Sequence, residues 1–344
     1  MAAPDPLSAS NTTQARHEVA IVGAGIAGCA AASCLHALHK SVIVFDRGRR
    51  AGGRASANQA DFDYGVPAFA ADSPAFLERV RQWKQAGLIV QWQPSAKRWT
   101  TPCNSVDELP DAQLPSQWVA TKSLASLFTT ELAQIQCEQN ALVQRIEFSG
   151  GHWALYDAAD HCIGRANQLL LAMPIEQARR LLDESIQESA LPIDRPTQPM
   201  SVPQWVSMLE FEEPVSNTTD TIDFGDHPVL SAAWSESRKP GGAASKWIVH
   251  SQPEWALTRL SIERDTIAEL MFAAFKQAVG RCPRIMSHRA HRWTFSRTRT
   301  ALGCGPIHHP HPPVTLCGDW SVDGTFQGAW LSGLEAAEKL GNQA

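Results

Sequence analysis

The sequence predicts an α/β protein: a doubly wound, Rossmann-type dinucleotide-binding domain carrying an inserted antiparallel α+β domain. Three observations predict it. Val19 to Gly28 reads V-A-I-V-G-A-G-I-A-G, an apolar strand running into a glycine-rich turn and a small-residue helix. A second apolar strand, Val42 to Phe45, ends at Asp46, 18 residues after Gly28. Between residues 183 and 280, prolines separate short β-prone runs (Trp205–Phe211, Val229–Trp234, Lys246–His250), the pattern of an antiparallel sheet supported by a helix over Ile262–Val279.

Each element has a physical reason. Gly23 permits the tight turn, Gly25 lets the backbone approach a pyrophosphate, and Gly28 lets the new helix pack on the strand. That helix starts at Ile26 and Ala27, points its positive end at the phosphates, and runs to about His39. Asp46 is placed to bond the ribose hydroxyls. The loop Asp46-Arg47-Gly48-Arg49-Arg50-Ala51-Gly52-Gly53-Arg54-Ala55-Ser56 offers backbone amides and Arg47 and Arg54 to a pyrophosphate or a flat ring, with Gly53 admitting close approach. A basic surface loop is the alternative. Phe62 to Phe69 suits a loop running along a ring system. Ser73-Pro74 predicts an N-cap and first position for a helix to Gly87. Residues 91–120 read as irregular. A helix over Ser123–Leu132, strands over Ala141–Phe148, Trp153–Tyr156 and Gln168–Pro174, and a helix over Glu176–Leu182 follow. Near the end, Val314 to Trp320 is a strand closing on Gly318-Asp319, followed by Gly324, Phe326, Gly328-Ala329 and a helix through Leu340.

Composition narrows the partners. The chain has 344 residues, a net charge of −5 and 19% charged residues, which gives no reason to expect nucleic acid. Eight scattered cysteines without a C-x-x-C pair argue against zinc or a disulfide framework and fit a reducing cytoplasm. Residues 1–16 read as a disordered lead-in. Val19–Leu35 is apolar but broken by fingerprint glycines and preceded by no basic segment, so it reads as strand plus helix and no membrane is expected. His308, His309 and His311 lie among prolines and read as loop residues, with no metal expected.

Taken in order, G-x-G-x-x-G, the acid, G-G-R and D-x-G resemble the flavin-dependent amine oxidase superfamily. The later stretches are most similar to its renalase-like branch: Pro203 to Leu209, Lys239-Pro240-Gly241, W-x-x-H-x-x-P-x-W over Trp247–Trp255, and His291-Arg292-Trp293. The resemblance covers almost the whole chain. It departs from that branch at Gly65-Val66-Pro67-Ala68-Phe69, where G-A-Q-Y-F is usual, and at Ala120–Leu124, where Lys122 stands in a segment lacking its glycine and proline. The resemblance implies non-covalent FAD, with Val143 beside the adenine. It also implies flavin-binding segments 17–90, 121–175 and 281–344, and a substrate domain from 91–120 and 176–280. Gly318-Asp319 would meet the ribityl chain. The helix near Gly328 and Ala329 would aim its dipole at the flavin's pyrimidine edge.

Only one complete dinucleotide fingerprint is present, so a substrate is expected to give its hydride directly to the flavin, with dioxygen as acceptor. The branch implies a dihydronicotinamide dinucleotide isomer as the small-molecule donor and hydrogen peroxide as product. A flavin-containing amine oxidase is the alternative, weakened because only Tyr64 and Tyr156 exist to form a tyrosine cage. A flavin-binding protein without turnover is a third. Catalytic candidates are His250, which either positions substrate by hydrogen bonding or is a satisfied core residue, and Trp293 as a pocket wall. The third is Arg292, within a run of six arginines from Arg281 to Arg299 that either holds a phosphate-bearing substrate or forms a solvated face.

Overall fold

The computed structural model describes residues 15–55, 58–59, 62–99, 111–184, 201–215, 219–236, 239–240, 242 and 245–342. The expected lead-in over 1–14, together with Ser56, Cys103 and Gly241, lies outside them. Arg16, expected in that lead-in, begins the first strand.

Strand Arg16–Val22 pairs in parallel with Val42–Phe45 on one side and Cys162–Ala172 on the other. Pro313–Cys317 continues the parallel order beyond Ala172. These strands are buried on both faces, as parallel strands must be. Val19, Ile21 and Val44 face a layer containing helices Ile26–Ala37, Pro74–Gln85 and Phe326–Gly341. Ala20, Val22 and Phe45 face Ile146, Trp153 and Leu155 of a hairpin and Ile175, Ala178 and Leu182 of helix Ile175–Asp183. The two ends of the chain meet here. A Cβ at Gly333 would stand 2.0 Å from the Ala27 carbonyl oxygen, so the first and last helices touch backbone to backbone.

A second sheet has the strand order Ile285–Thr298, Ser201–Phe211, Lys246–Ser251, Leu230–Ser235, Thr221–Asp223, Ala96–Arg98, Asp111–Ala112. Residues expected to be irregular near 96 therefore form a strand, parallel to Thr221–Asp223. Ile285–Thr298, which falls within the segment 281–344 expected to bind flavin, pairs with Ser201–Phe211 as the edge of this second sheet. Alternation divides that sheet. Trp205, Leu209, Trp247 and Val249 pack on helix Arg264–Val279, while Val206, Met208 and Ile248 join Phe62 and Tyr64 on the face toward the first domain.

Smaller corrections concern ends. Ser73 makes no side-chain cap, although Pro74 takes the first helical position, and its N–H is held by the Gln327 side chain at 3.0 Å. His308 and His309 lie in a short strand, Ile307–Pro310, rather than a loop.

Candidate functional site

A cavity of about 1300 Å³ runs between the two sheets. A single drug-sized ligand needs roughly 300–1,000 Å³. The volume therefore accommodates a dinucleotide and a second molecule together.

At one end the walls are backbone. Gly23 has φ +106°, and a Cβ there would stand 2.3 Å from the Ala172 carbonyl oxygen. A Cβ at Gly28 would be 1.9 Å from the Gly23 carbonyl oxygen. Gly25 differs: its Cβ would meet no protein atom within 4 Å and would stand in the cavity. Packing explains two of the glycines, and only room for a ligand explains the third. Gly25 caps helix Ile26–Ala37 without a side-chain acceptor, so the first-turn N–H groups at Ile26 and Ala27 open on the cavity as an anion site. Gly53 packs within reach of Gly25, its Cβ position 3.5 Å from the Gly25 Cα. Arg47, Leu142 and Val143 line the same end.

Asp46 has protein partners of its own. Its two carboxylate oxygens accept the Ala24 and Gly48 N–H groups, each at 2.6 Å, bracing the fingerprint turn against the loop that follows. Each oxygen keeps a second lone pair for a hydroxyl. The Ala141 N–H donates to the Asp46 carbonyl at 2.9 Å and so holds the Val143 segment alongside.

Arg54 and Asp319, expected to reach separately for the cofactor, are bonded to each other. The guanidinium meets the carboxylate at 2.7 and 3.1 Å and also donates to the Ser296 carbonyl at 2.7 Å. The Thr298 hydroxyl donates to the same carboxylate at 2.9 Å. Asp319 is 6% exposed, and this clasp joins the glycine loop, the long edge strand and the C-terminal motif beneath the cavity. Asp319 Oδ2 has both lone pairs engaged and Oδ1 has one left for a ligand hydroxyl. Gly318 and Ala329 line the cavity, but Gly328 does not. The last helix begins two residues earlier than expected, at Phe326, and the Gly328 N–H is taken by the Thr325 hydroxyl at 2.9 Å. Gly328 is small because a Cβ would collide with the Asp323 carboxylate.

At the other end the walls are aromatic side chains. His250 is buried, its Nε2 3.1 Å from the Tyr64 carbonyl oxygen. Burial lowers its pKa to about 4, with the positive charge of Arg297 acting in the same sense against the Tyr64 hydrogen bond. The ring is therefore neutral at pH 7, Nε2–H donates to Tyr64, and Nδ1 is the acceptor. The Trp234 ring lies 4.8 Å from it, edge to face. His291 meets the Tyr64 ring at 5.0 Å, tilted, and the Trp293 ring at 4.6 Å, edge to face, and burial, then Arg264 and Arg292, lower its pKa to about 4 as well. Trp293 Nε1 is buried without a hydrogen-bond partner among the described residues.

Arg292 borders the cavity, but its guanidinium is turned away from these rings. It pairs in register with Trp205, on the helix face of the sheet, and its guanidinium donates to the Leu260 carbonyl. Strand alternation around His291 and Trp293 carries the same information. His291 was missed, although it shares parity with Trp293.

A backbone cradle for a dinucleotide opening onto a neutral aromatic pocket defines a flavin-dependent oxidoreductase. The chain belongs to the flavin containing amine oxidoreductase family, whose profile matches residues 122–340; residues 21–83 match the NAD(P)-binding Rossmann-like domain. Three solved structures share the fold. An Exiguobacterium sp. 255-15 protein described as a protoporphyrinogen oxidase superposes with TM-score 0.73 at 12% identity, over 96% of this chain and 100% of that one. Cyclohexylamine oxidase from Brevibacterium oxydans IH-35A gives 0.71 at 15%, over 96% and 99%. Putrescine oxidase bound to putrescine gives 0.66 at 14%, over 95% and 99%. The cofactor is FAD, and the cavity fits it: Gly25 leaves the space, the uncapped helix start supplies the amides, and Asp46 and Asp319 retain acceptors. No helix among the described residues is long and apolar enough to cross a membrane.

Proposed function

We propose that this protein is a renalase-like oxidase of the cytoplasm that takes a hydride from a dihydronicotinamide dinucleotide isomer. Non-covalent FAD, which the Gly23–Ala27 turn, Asp46 and Asp319 would hold, would supply the hydride acceptor and its reoxidation by dioxygen, so that donor, proton and O₂ would give the aromatic nicotinamide cation and hydrogen peroxide. The observation that carries the reading is the box of Trp234, His250, His291 and Trp293, with Tyr64 packed behind the last two. It is flat-walled, its imidazoles are uncharged, and the charge acting on His250 is the guanidinium of Arg297. Such a pocket suits a planar neutral ring with an anionic tail. It opposes a protonated amine. Hydride loss from a dihydropyridine needs no general base, so the neutral His250 serves by orienting the ring through Nδ1.

Amine oxidation is the second reading, favoured by the family and by the amine oxidases that share the fold. Against it, neither tyrosine lines the cavity: Tyr156 lies under Arg145 at 3.8 Å on the hairpin, and Tyr64 is buried behind His291 and Trp293. Anaerobic mixing separates the two. The yellow holoenzyme should bleach at once with the 2- or 6-dihydro isomers of NADH and stay yellow with primary amines. Bleaching by amines alone overturns the proposal in favour of the second reading. Bleaching by neither overturns both and leaves a flavoprotein without turnover.

A further inference from the structure

The arginine run from Arg281 to Arg299 is sorted by strand register. Arg292 is turned to Leu260 and Trp205, and Arg299 donates to Glu254 at 3.0 Å. Arg281, Arg284 and Arg289 do not line the cavity. Arg297 does. It stands opposite Val202, which shares parity with Gln204 and Val206 on the cleft face. The ladder between the two strands is broken here: Gln204 pairs with Trp293 and Val202 with Arg297, so four residues on the edge strand span two on its neighbour. Such bulges re-aim side chains beside active sites, and every residue from His291 to Arg297 borders the cavity. The Arg297 guanidinium is exposed and has no hydrogen-bond or ion-pair partner among the described residues. Among the carboxylates that line the cavity, Asp319 is already held by Arg54 and Thr298, and Asp223 by Arg98 at 3.2 Å and by the Gly225 N–H at 3.0 Å.

We propose that Arg297 anchors the substrate's phosphate, making this site selective for phosphate-bearing hydride donors over the same ring without phosphate. The assignment rests on the dihydronicotinamide reading above for its substrate. An unpaired guanidinium at the mouth of an aromatic pocket presents the planar fork that takes two phosphate oxygens at once. The bulge makes the selection: it leaves His291 and Trp293 at the ring and carries Arg297 further along the same face, toward the tail. Lysine would keep the charge and lose the fork.

The test compares wild-type holoenzyme with Arg297→Ala and Arg297→Lys, using the 6-dihydro isomers of the dinucleotide and of the phosphate-free riboside. Arg297→Ala should raise KM for the dinucleotide at least tenfold more than for the riboside, with Arg297→Lys intermediate and FAD content unchanged. Equal penalties on both donors, no penalty, or loss of FAD would each overturn the assignment, the last by making Arg297 a cofactor ligand. If wild type oxidises neither donor, the functional reading fails on its own. The anion site is then decided by titrating the holoenzyme with inorganic pyrophosphate and following the flavin spectrum. A perturbation weakened tenfold or more in Arg297→Ala sustains it, and an equal or absent response refutes it.

Discussion

The two ends of the cavity are built from different materials. The cofactor end is backbone: glycines where a Cβ would collide or fill the ligand's space, N–H groups at a helix start, and carboxylates that brace loops before they meet any ligand. The substrate end is side chains, with the rings of Trp234, His250, His291 and Trp293 brought together by three strands. Backbone geometry tolerates almost no substitution and suits a cofactor that is always the same. Side-chain walls are replaceable one at a time, which suits a site whose ligand changes within a family.

The sharpest way to break this contrast lies within the fingerprint itself. Gly28→Ala places a methyl 1.9 Å from a backbone oxygen that cannot swing away. It should cost at least about 3 kcal/mol, the upper part of the overpacking range, and give insoluble or strongly destabilised protein. Gly25→Ala adds the same methyl where no protein atom lies within 4 Å. The apo-protein should melt within about 1 °C of wild type, since a shift of that size is under 1 kcal/mol in a chain of this length, while FAD content collapses. If Gly25→Ala unfolds the protein, that glycine is structural and the cradle argument fails.

The clasp beneath the cavity comes next. Arg54→Ala leaves Asp319, 6% exposed, with Thr298 as its remaining side-chain donor. Breaking one partner of a buried pair costs about 3–5 kcal/mol. Because the Arg54 side chain is 32% exposed, the loss should fall near about 2 kcal/mol after discounting for solvent screening. Chemical denaturation of the apo-protein measures it. A variant as stable as wild type would mean that the pair serves the ligand and not the fold.

At the aromatic end the expected stability effects are smaller and the functional ones remain. Trp293 Nε1 is buried and unpaired among the described residues. Trp293→Phe removes that N–H and should leave stability unchanged or raise it by up to about 1 kcal/mol. The same variant should raise KM for the hydride donor several-fold while retaining FAD. A large stability loss would make Trp293 core rather than wall.

This division also explains what could be read from the sequence. The strand, turn and helix at Val19–Leu35, the acid at 46 and the Gly318-Asp319 motif were legible because each function belongs to a local run with fixed spacing. The Arg54–Asp319 bond was not, since 265 positions separate the pair and only the folded topology joins them. The arginine run is more instructive. Three adjacent residues, His291-Arg292-Trp293, cannot all face one side of a strand, so alternation required a choice between Arg292 and the two aromatics. The free arginine lies beyond a bulge, which spacing alone does not announce.

The remaining effect is a matter of pH, and it belongs to one end alone. Both histidines that line the cavity, His250 and His291, stand in the substrate box, and burial lowers the pKa of each from 6.5 to about 4. Between those values the unfolded chain binds protons that the folded one refuses, so stability rises with pH from about 4 to 6.5 and is flat above. Below about 4 both states are protonated and the dependence ends. For His250, fully enclosed, lowering the pH from 6.5 to 4.5 removes about 2–3 kcal/mol, taken from roughly 1.4 kcal/mol per unit. Melting temperatures of the apo-protein should therefore fall across that window in wild type and fall less in His250→Gln, which has no titrating ring. Equal slopes in the two proteins would mean that His250 is solvated and charged in the fold, and the neutral box would lose its central member.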